Sequence, residues 1–346
     1  MEKIALFGLT LTDLQEVCKD LKLPKFVAKQ ISDWLYKKNI TSIDEMTNLS
    51  KKARELLNEK YTFGVHAPIK AQESTDGTKK YLYQAPNRNF IETVYIPDKE
   101  RATLCVSSQV GCKMGCLFCV TGKQGFQAQL TPGEIVNQIR SLPEREKLTN
   151  IVYMGMGEPF DNLDNVMKSL EILTSDYGFE MSPRRITVSS IGITPALQTF
   201  LKDSNCHLAI SLHTPFEDER RKLMPVENVY NLPEIMDVIR KHDFGLQRRV
   251  SFEYIMFKGV NDTPAHIKQM CKLLNGLRCR VNLIKFHAFD GSPLEGSDRQ
   301  TIEYFSNKLN EKGIRSTIRA SRGEDILAAC GLLSTKELVK RKDIED

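Results

Sequence analysis

Three cysteines stand close together in this chain, Cys112, Cys116 and Cys119, in a C-x3-C-x2-C spacing directly after a run that reads as a strand. Thiolates are soft donors suited to zinc or iron. Three of them on one loop hold three irons of a cubane and leave the fourth iron without a protein ligand. An open iron lets a cluster bind a small molecule instead of only passing electrons. A structural zinc site is the competing reading, and it wants four ligands, often as two C-x2-C pairs. After Cys119 the next cysteine is Cys206 and the next histidine is His207, so any fourth ligand would have to arrive from afar. The spacing favours a [4Fe–4S] cluster.

Further groups lie where chemistry is done. Cys105 falls in an apolar strand, where a buried, inert thiol is the commoner outcome. Cys330 follows Ala-Ala and precedes Gly, which reads as a small-residue helix end. Glu92 sits in the run 90–96, whose near-alternation puts a strand glutamate on the solvent face. Gly157-Glu158, Ser189, Ser211-Leu212-His213 and His287 each close a predicted strand. Parallel α/β folds bind ligands at those carboxyl ends. Glu158 suits an amino group and Gly157 permits close backbone approach, although a lone His213 is more often a satisfied core histidine.

The elements that must position these residues are legible as a pattern. Residues 1–66 read as helical: Leu11-Thr12-Asp13 can start a helix, and Phe26, Ile31, Trp34 and Leu35 recur at roughly helical spacing. Lys22, Lys25, Lys29, Lys37 and Lys38 oppose only Asp33 there, which marks a solvated face or an RNA-contacting one. Residues 67–100 turn to strand signals, with Asp76-Gly77 as a hairpin turn. From 101 to 319, strands alternate with helices. The strands are 102–107, 149–155, 185–190, 207–213, 249–257, 280–287 and 314–319; the helices include 131–142, 161–175, 230–242, 263–275 and 298–312. Such alternation predicts a parallel α/β architecture of about six units, a partial barrel or an open sheet. Residues 320–346 form a C-terminal segment whose charged tail after Gly331 is expected to fray.

Taken together, the motifs resemble the radical-SAM dual-specificity RNA methyltransferases, which act on adenine C2 in 23S rRNA and in tRNA. The segments that carry the likeness run almost end to end. They include Cys105-Val-Ser-Ser-Gln-Val-Gly-Cys112, Met154-Gly-Met-Gly-Glu-Pro159, Arg185-Ile-Thr-Val-Ser189 and Leu208-Ala-Ile-Ser-Leu-His213. Phe252-Glu-Tyr254, Val281-Asn-Leu-Ile284 and Arg322-Gly-Glu-Asp-Ile326 through Cys330-Gly331 complete them. The resemblance implies a partial (β/α)6 barrel with an N-terminal helical, RNA-binding accessory domain and a small β extension. It implies a cluster on Cys112, Cys116 and Cys119, and two S-adenosylmethionine molecules per turnover, bound by Gly157, Glu158, Ser189, Ser211, Leu212, His213 and His287. One methyl group would pass to Cys330, and a 5′-deoxyadenosyl radical from the second molecule would abstract a hydrogen from it. The resulting carbon radical would add to C2. Glu92 would take the C2 proton. Cys105 would attack the Cys330 sulfur, leaving a Cys105–Cys330 disulfide. The chain departs from the familiar pattern at Lys285 and His287, which replace a proline and an asparagine.

The likeness also implies a low-potential electron donor such as flavodoxin or ferredoxin. Two rivals stand beside this reading: adenine-C8 methylation by the related resistance enzymes, and a non-catalytic zinc-stabilised RNA-binding module. Among the basic groups, Arg184-Arg185 and Arg248-Arg249 sit at strand starts and read as structural or solvated. Arg220-Arg221-Lys222, Arg319 and Arg322 fall on the ligand-binding side and read as RNA contacts. Across 346 residues, 41% are hydrophobic, enough for a sizeable core, and the net charge of +5 permits RNA without demanding it. Nine scattered cysteines argue for a reducing compartment and against a disulfide framework. With no membrane-length apolar run and no signal-like N-terminus, the expected location is the cytoplasm.

Overall fold

A computed structural model of the chain describes residues 3–85, 88–245 and 248–335. The N-terminal unit is closed by a parallel pair, β1 (Ile4–Ala5) with β2 (Tyr61–Thr62), around helices α1 (Leu11–Asp20), α2 (Val27–Ser32) and α3 (Lys51–Lys60). Thr10 starts α1 by a reciprocal cap: its hydroxyl accepts from the Asp13 amide and its own amide donates to the Asp13 carboxylate. The five lysines of 22–38 are all exposed, and Lys37 pairs with Glu180 at 2.9 Å.

Next come three antiparallel strands, β3 (Lys70–Glu73), β4 (Lys79–Gln84) and β5 (Phe90–Asp98), with the Asp76-Gly77 turn between the first two. β5 pairs antiparallel with β6 (Arg101–Cys105), the first strand of the parallel region. A small ribbon, β7 (Gln109–Val110) with β8 (Ala128–Gln129), frames α4 (Val120–Gln124) and precedes α5 (Pro132–Arg140). The chain then alternates: β9 (Asn150–Tyr153), α6 (Leu163–Thr174), β10 (Ile186–Ser190), α7 (Thr194–Asp203), β11 (His207–Ser211), α8 (Glu217–Leu223) and α9 (Leu232–Lys241). It ends with β12 (Val250–Met256), α10 (Pro264–Leu274), β13 (Cys279–Lys285), α11 (Arg299–Glu311) and β14 (Ser316–Ile318).

Ten strands form one sheet in the order β14-β13-β12-β11-β10-β9-β6-β5-β4-β3. From β6 to β14 every pairing is parallel, with a helical crossover before each new strand. Among the described residues β14 pairs only with β13, so the barrel is partial, and its open seam runs between β14 and the β5–β6 hairpin. Val, Ile, Leu and Phe such as Val188, Ile210, Phe252 and Leu283 are fully buried in these strands, as expected when helices cover the outer face. α7 is absent from the helices expected above. Its Pro195 reads as a breaker, yet it occupies the first turn, where its missing N–H leaves no bond unmade.

The helical unit docks on α5. Buried Arg140 of α5 donates to Asn39 and to the Lys38 and Ile40 carbonyls, and Asn137 of α5 exchanges two bonds with the His66 backbone. Two glycines allow this approach: Gly8, at φ +100°, faces Gly133, where a Cβ would lie 2.4 Å from the Phe7 carbonyl oxygen. Gly133→Ala should therefore cost about 1–3 kcal/mol in denaturant unfolding, the usual range for overpacking. An unchanged midpoint would contradict the backbone contact.

Candidate active site

One cavity of about 180 Å³ opens at the carboxyl ends of the parallel strands. Cys112, Cys116 and Cys119 line one side, and Gly157, Glu158, Ser189, Ser211 and His213 line the facing strand ends. The cysteine loop is fixed by backbone bonds: Cys112 N donates to Gly125 O at 3.2 Å, Leu117 N to Leu223 O at 2.9 Å, and Cys119 N to Cys116 O at 3.2 Å. Burial keeps the three sulfurs as thiols in the protein alone, pushing Cys112 up to about 12, Cys116 well above the ordinary thiol range, and Cys119 up as well. Metal binding displaces such protons. Among the described residues no three His, Cys, Asp or Glu side chains converge on a single ion. Three thiols on one loop, lining one wall of an open cavity, are the donor set of a cubane with one open iron.

Glu158 is 4% exposed, yet both its oxygens are held, by the Phe160 amide at 3.0 Å and the Ile191 amide at 3.1 Å. Burial outweighs those bonds and raises its carboxyl to about 7. Gly157 beside it sits at φ +98°, where a Cβ would lie 2.5 Å from Gln109 Cβ. His213 also has positive φ, +57°. Its Nδ1 accepts from the Ile255 amide at 3.1 Å, its ring packs edge-on against Phe118, and burial depresses its pKa to about 3. It is thus a satisfied core histidine that also lines the cavity.

Two expected ligand residues lie elsewhere. Leu212, just past β11, is fully buried with its amide donating to Glu253 O at 3.0 Å, and it does not line the cavity. His287 lies past the end of β13, and its ring meets Ser321 Oγ at 2.8 Å and Glu324 at 3.4 Å. It lines an adjoining cavity of about 380 Å³ at the open seam, together with Lys285, Arg322 and Cys330.

Cys105 and Cys330, far apart in sequence, face the same cavity as the three clustered cysteines. Cys105 ends β6, is buried, and has its thiol pushed up to about 12. Cys330 rides on an exposed turn held by a 2.7 Å bond from Val120 N to Gly331 O and by a 2.6 Å bond from Thr121 Oγ1 to Leu333 O. All nine cysteines are free, so the Cys105–Cys330 disulfide implied by the resemblance is not formed. The strand holds one thiol inside the cavity while the turn presents the other to solvent.

Glu92 corrects the alternation argument. β5 is covered on both faces, and Glu92 is 7% exposed, paired with Lys80 at 3.0 Å and accepting from the Ser334 amide at 3.0 Å. Burial raises its pKa, with Lys80 opposing. Lys80 was missed because β4 gives no sign, in sequence, of which lysine faces inward. Arg220 is a second correction: it is fully buried, ion-paired with Glu227, and donates to the Ile191 and Ser211 carbonyls. It braces the strand ends, so of this run only Arg221 and Lys222 are exposed. Arg319 lies on the cavity floor, 3.3 Å from Glu253 and 3.4 Å from Met154 Sδ. Arg322 pairs with Asp98 at 3.5 Å. The segment 331–335 packs inward, and the charged tail expected to fray lies at 336–346, outside the described residues.

The raised Glu158 carboxyl sets a pH dependence. Its pKa rises from 4.5 unfolded to about 7 folded, so its contribution to stability is full below pH 4.5 and declines as pH rises to about 7. Wild type minus Glu158→Gln unfolding free energy should fall by roughly 2–4 kcal/mol across that window in ligand-free protein. A flat difference would contradict the desolvated site.

Comparison with known proteins fits this geometry. Residues 106–274 match the model of the Radical SAM superfamily, and residues 4–62 match that of the ribosomal RNA large subunit methyltransferase N-terminal domain. A probable dual-specificity RNA methyltransferase RlmN from Phocaeicola vulgatus is 59% identical over 99% of this chain and 98% of its own length. The dual-specificity RNA methyltransferase RlmN of Syntrophus aciditrophicus is 42% identical over 99% of both. The crystal structure of a radical SAM methyltransferase from Sphaerobacter thermophilus superposes with a TM-score of 0.88 at 38% identity, covering 95% of this chain and 99% of that one. With three cysteines facing a strand-end cavity and full-length relatives of this kind, the chain belongs to the radical-SAM dual-specificity RNA methyltransferases.

Proposed function

We propose that the protein methylates C2 of an adenine in 23S rRNA and in tRNA through a methyl group carried on Cys330. The observation that carries this reading is the meeting of Cys330 and Cys105 in the cavity that also holds Cys112, Cys116, Cys119 and Glu158. Cys112, Cys116 and Cys119 would hold a [4Fe–4S] cluster, and Gly157, Glu158, Ser189, Ser211 and His213 would hold S-adenosylmethionine. When bound, these groups supply the methyl carbon and the radical chemistry that an unactivated C2–H bond requires. Glu158 is suited to the methionine ammonium, a cation that would restore its charge.

The remaining steps belong to the chain. Cys330, on its exposed turn, can turn toward the cavity or toward the adjoining one at the seam, which it also lines. That second cavity, with Arg319, Arg322 and His287, is where the adenine would enter, flipped from its stack. Glu92 is the base for the C2 proton. Lys80 holds its carboxylate, and release of the Ser334 amide would free one oxygen to accept the proton. Cys105 is the second thiol, needed for the product to leave Cys330. The protein would work in the cytoplasm, with residues 4–62 as an RNA-binding unit and a flavodoxin- or ferredoxin-like protein as reductant.

Cys330→Ala should abolish methylation. Cys105→Ala should keep RNA covalently attached to the enzyme, seen as a shifted band on denaturing gels. Glu92→Gln should slow product release about 10²–10⁴-fold, the usual contribution of a general base. Repeated turnover by Cys105→Ala, or Glu92→Gln within tenfold of wild type, would contradict these roles.

A further inference from the structure

The opposite end of the barrel carries a third cavity, and it is basic. It has a volume of about 390 Å³ and is lined at the strand starts by Arg101, Arg184, Arg249 and Arg280. Arg101 begins β6, Arg249 directly precedes β12, and Arg280 is the second residue of β13. The acidic residue of its lining is Glu253, which is 4% exposed and already engaged by Arg319 at 3.3 Å and Asn282 at 2.7 Å. The arginines oppose one another: beyond burial, Arg315, Arg249 and Arg101 all depress the Arg280 pKa.

Nearby arginines show what a structural role looks like here. Arg248 donates to the Leu201 and Cys206 carbonyls at 2.7 and 2.9 Å, and Arg240 donates to Leu273 O at 2.7 Å. Both satisfy carbonyls of the kind left open at helix ends. Among the described residues, the side chains of Arg101, Arg249 and Arg280 make no hydrogen bond or ion pair. Collecting unpaired cations around a concavity is unfavourable unless an anion answers them. Guanidinium forks match phosphate oxygens in pairs.

The open seam connects this mouth to the reacting end. Arg101 and Arg319 line both the basic mouth and the seam cavity that contains Cys330. We propose that the arginine mouth holds phosphates of the RNA backbone flanking the reacting adenine, with the strand laid along the seam between β14 and the β5–β6 hairpin. β12, seven residues long, spans about 23 Å at the usual rise per residue, a length that a few nucleotides of extended strand can cover. The proposal rests on adenine reacting at Cys330, but its test reads binding, not methylation.

The experiment is filter binding of an unmodified tRNA transcript to full-length protein between 50 and 200 mM salt. Wild type is compared with Arg249→Gln/Arg280→Gln and with the charge-reversed Arg249→Glu/Arg280→Glu. Each lost single-strand phosphate contact should reduce the slope of log affinity against log salt by about 0.7, so the Gln pair should lose roughly 1.4. The Glu pair should lose at least as much, and S-adenosylmethionine binding by both variants serves as the check of folding. Unchanged slopes in both variants overturn the proposal. Unchanged RNA slopes with loss of inorganic pyrophosphate binding, read by calorimetry, also overturn it, and assign the mouth to a free polyphosphate instead. If only the Glu pair fails to fold, the Gln pair decides.

Discussion

A single backbone hydrogen bond, from Val120 N to Gly331 O at 2.7 Å, joins the two parts of the chain that the chemistry requires together. Val120 follows Cys119 and Gly331 follows Cys330, so this bond sets the exposed thiol beside the loop of the three cysteines. Gly331 is suited to the contact by its φ of +83°, and a Cβ there would lie 3.1 Å from Phe118 O. Thr121, Gln124 and Glu92 extend the same attachment to Leu333, Ser334 and Thr335. At the other end of this segment, Asp76 accepts from Gly323 N at 3.0 Å and Ser74 Oγ donates to Asp325. The β3–β4 hairpin thus anchors the segment before Cys330, and the cysteine loop anchors it after. Between the anchors, Cys330 is exposed and lines both cavities.

The interior chemistry follows from how buried charge is handled. Glu158, Glu92 and Glu253 lie deep in the protein, and each carboxylate oxygen that is named has a donor: backbone amides for Glu158, Lys80 and Ser334 for Glu92, Arg319 and Asn282 for Glu253. Buried carboxylates persist only when so partnered. Glu158, held by dipoles without a full countercharge, is the one pushed up to about 7, which makes it ready for a cationic ligand. Arg319 and Glu253 form a polar floor that separates the reacting cavity from the basic mouth beneath it.

Much of this was legible in the sequence because periodicity and end signals are local. The parallel strands and most helices fall where alternation places them, and the Asp76-Gly77 turn lies where the dipeptide predicts. The cysteine triad favours a cluster by its spacing, and the motifs around it narrow the chemistry further. What the sequence hides is the direction of side chains whose partners are distant. Arg220 sits in an exposed-looking Arg-Arg-Lys run, yet Glu227 and two carbonyls draw it fully inside. Glu92 lies on a strand assumed to have a wet face, but the segment 331–335 covers it. Arg248 and Arg249 are adjacent and chemically identical, and only the fold makes one a cap for carbonyls and the other part of a cationic ring.

The central claim is that Cys330 carries the methyl group that ends on adenine C2. It is tested most directly by nucleoside mass spectrometry after anaerobic incubation of iron–sulfur-reconstituted enzyme with S-adenosylmethionine, a low-potential reductant and unmodified rRNA or tRNA. The account predicts 2-methyladenosine with wild type and none with Cys330→Ala. Formation of 8-methyladenosine, or 2-methyladenosine that survives loss of Cys330, would contradict it.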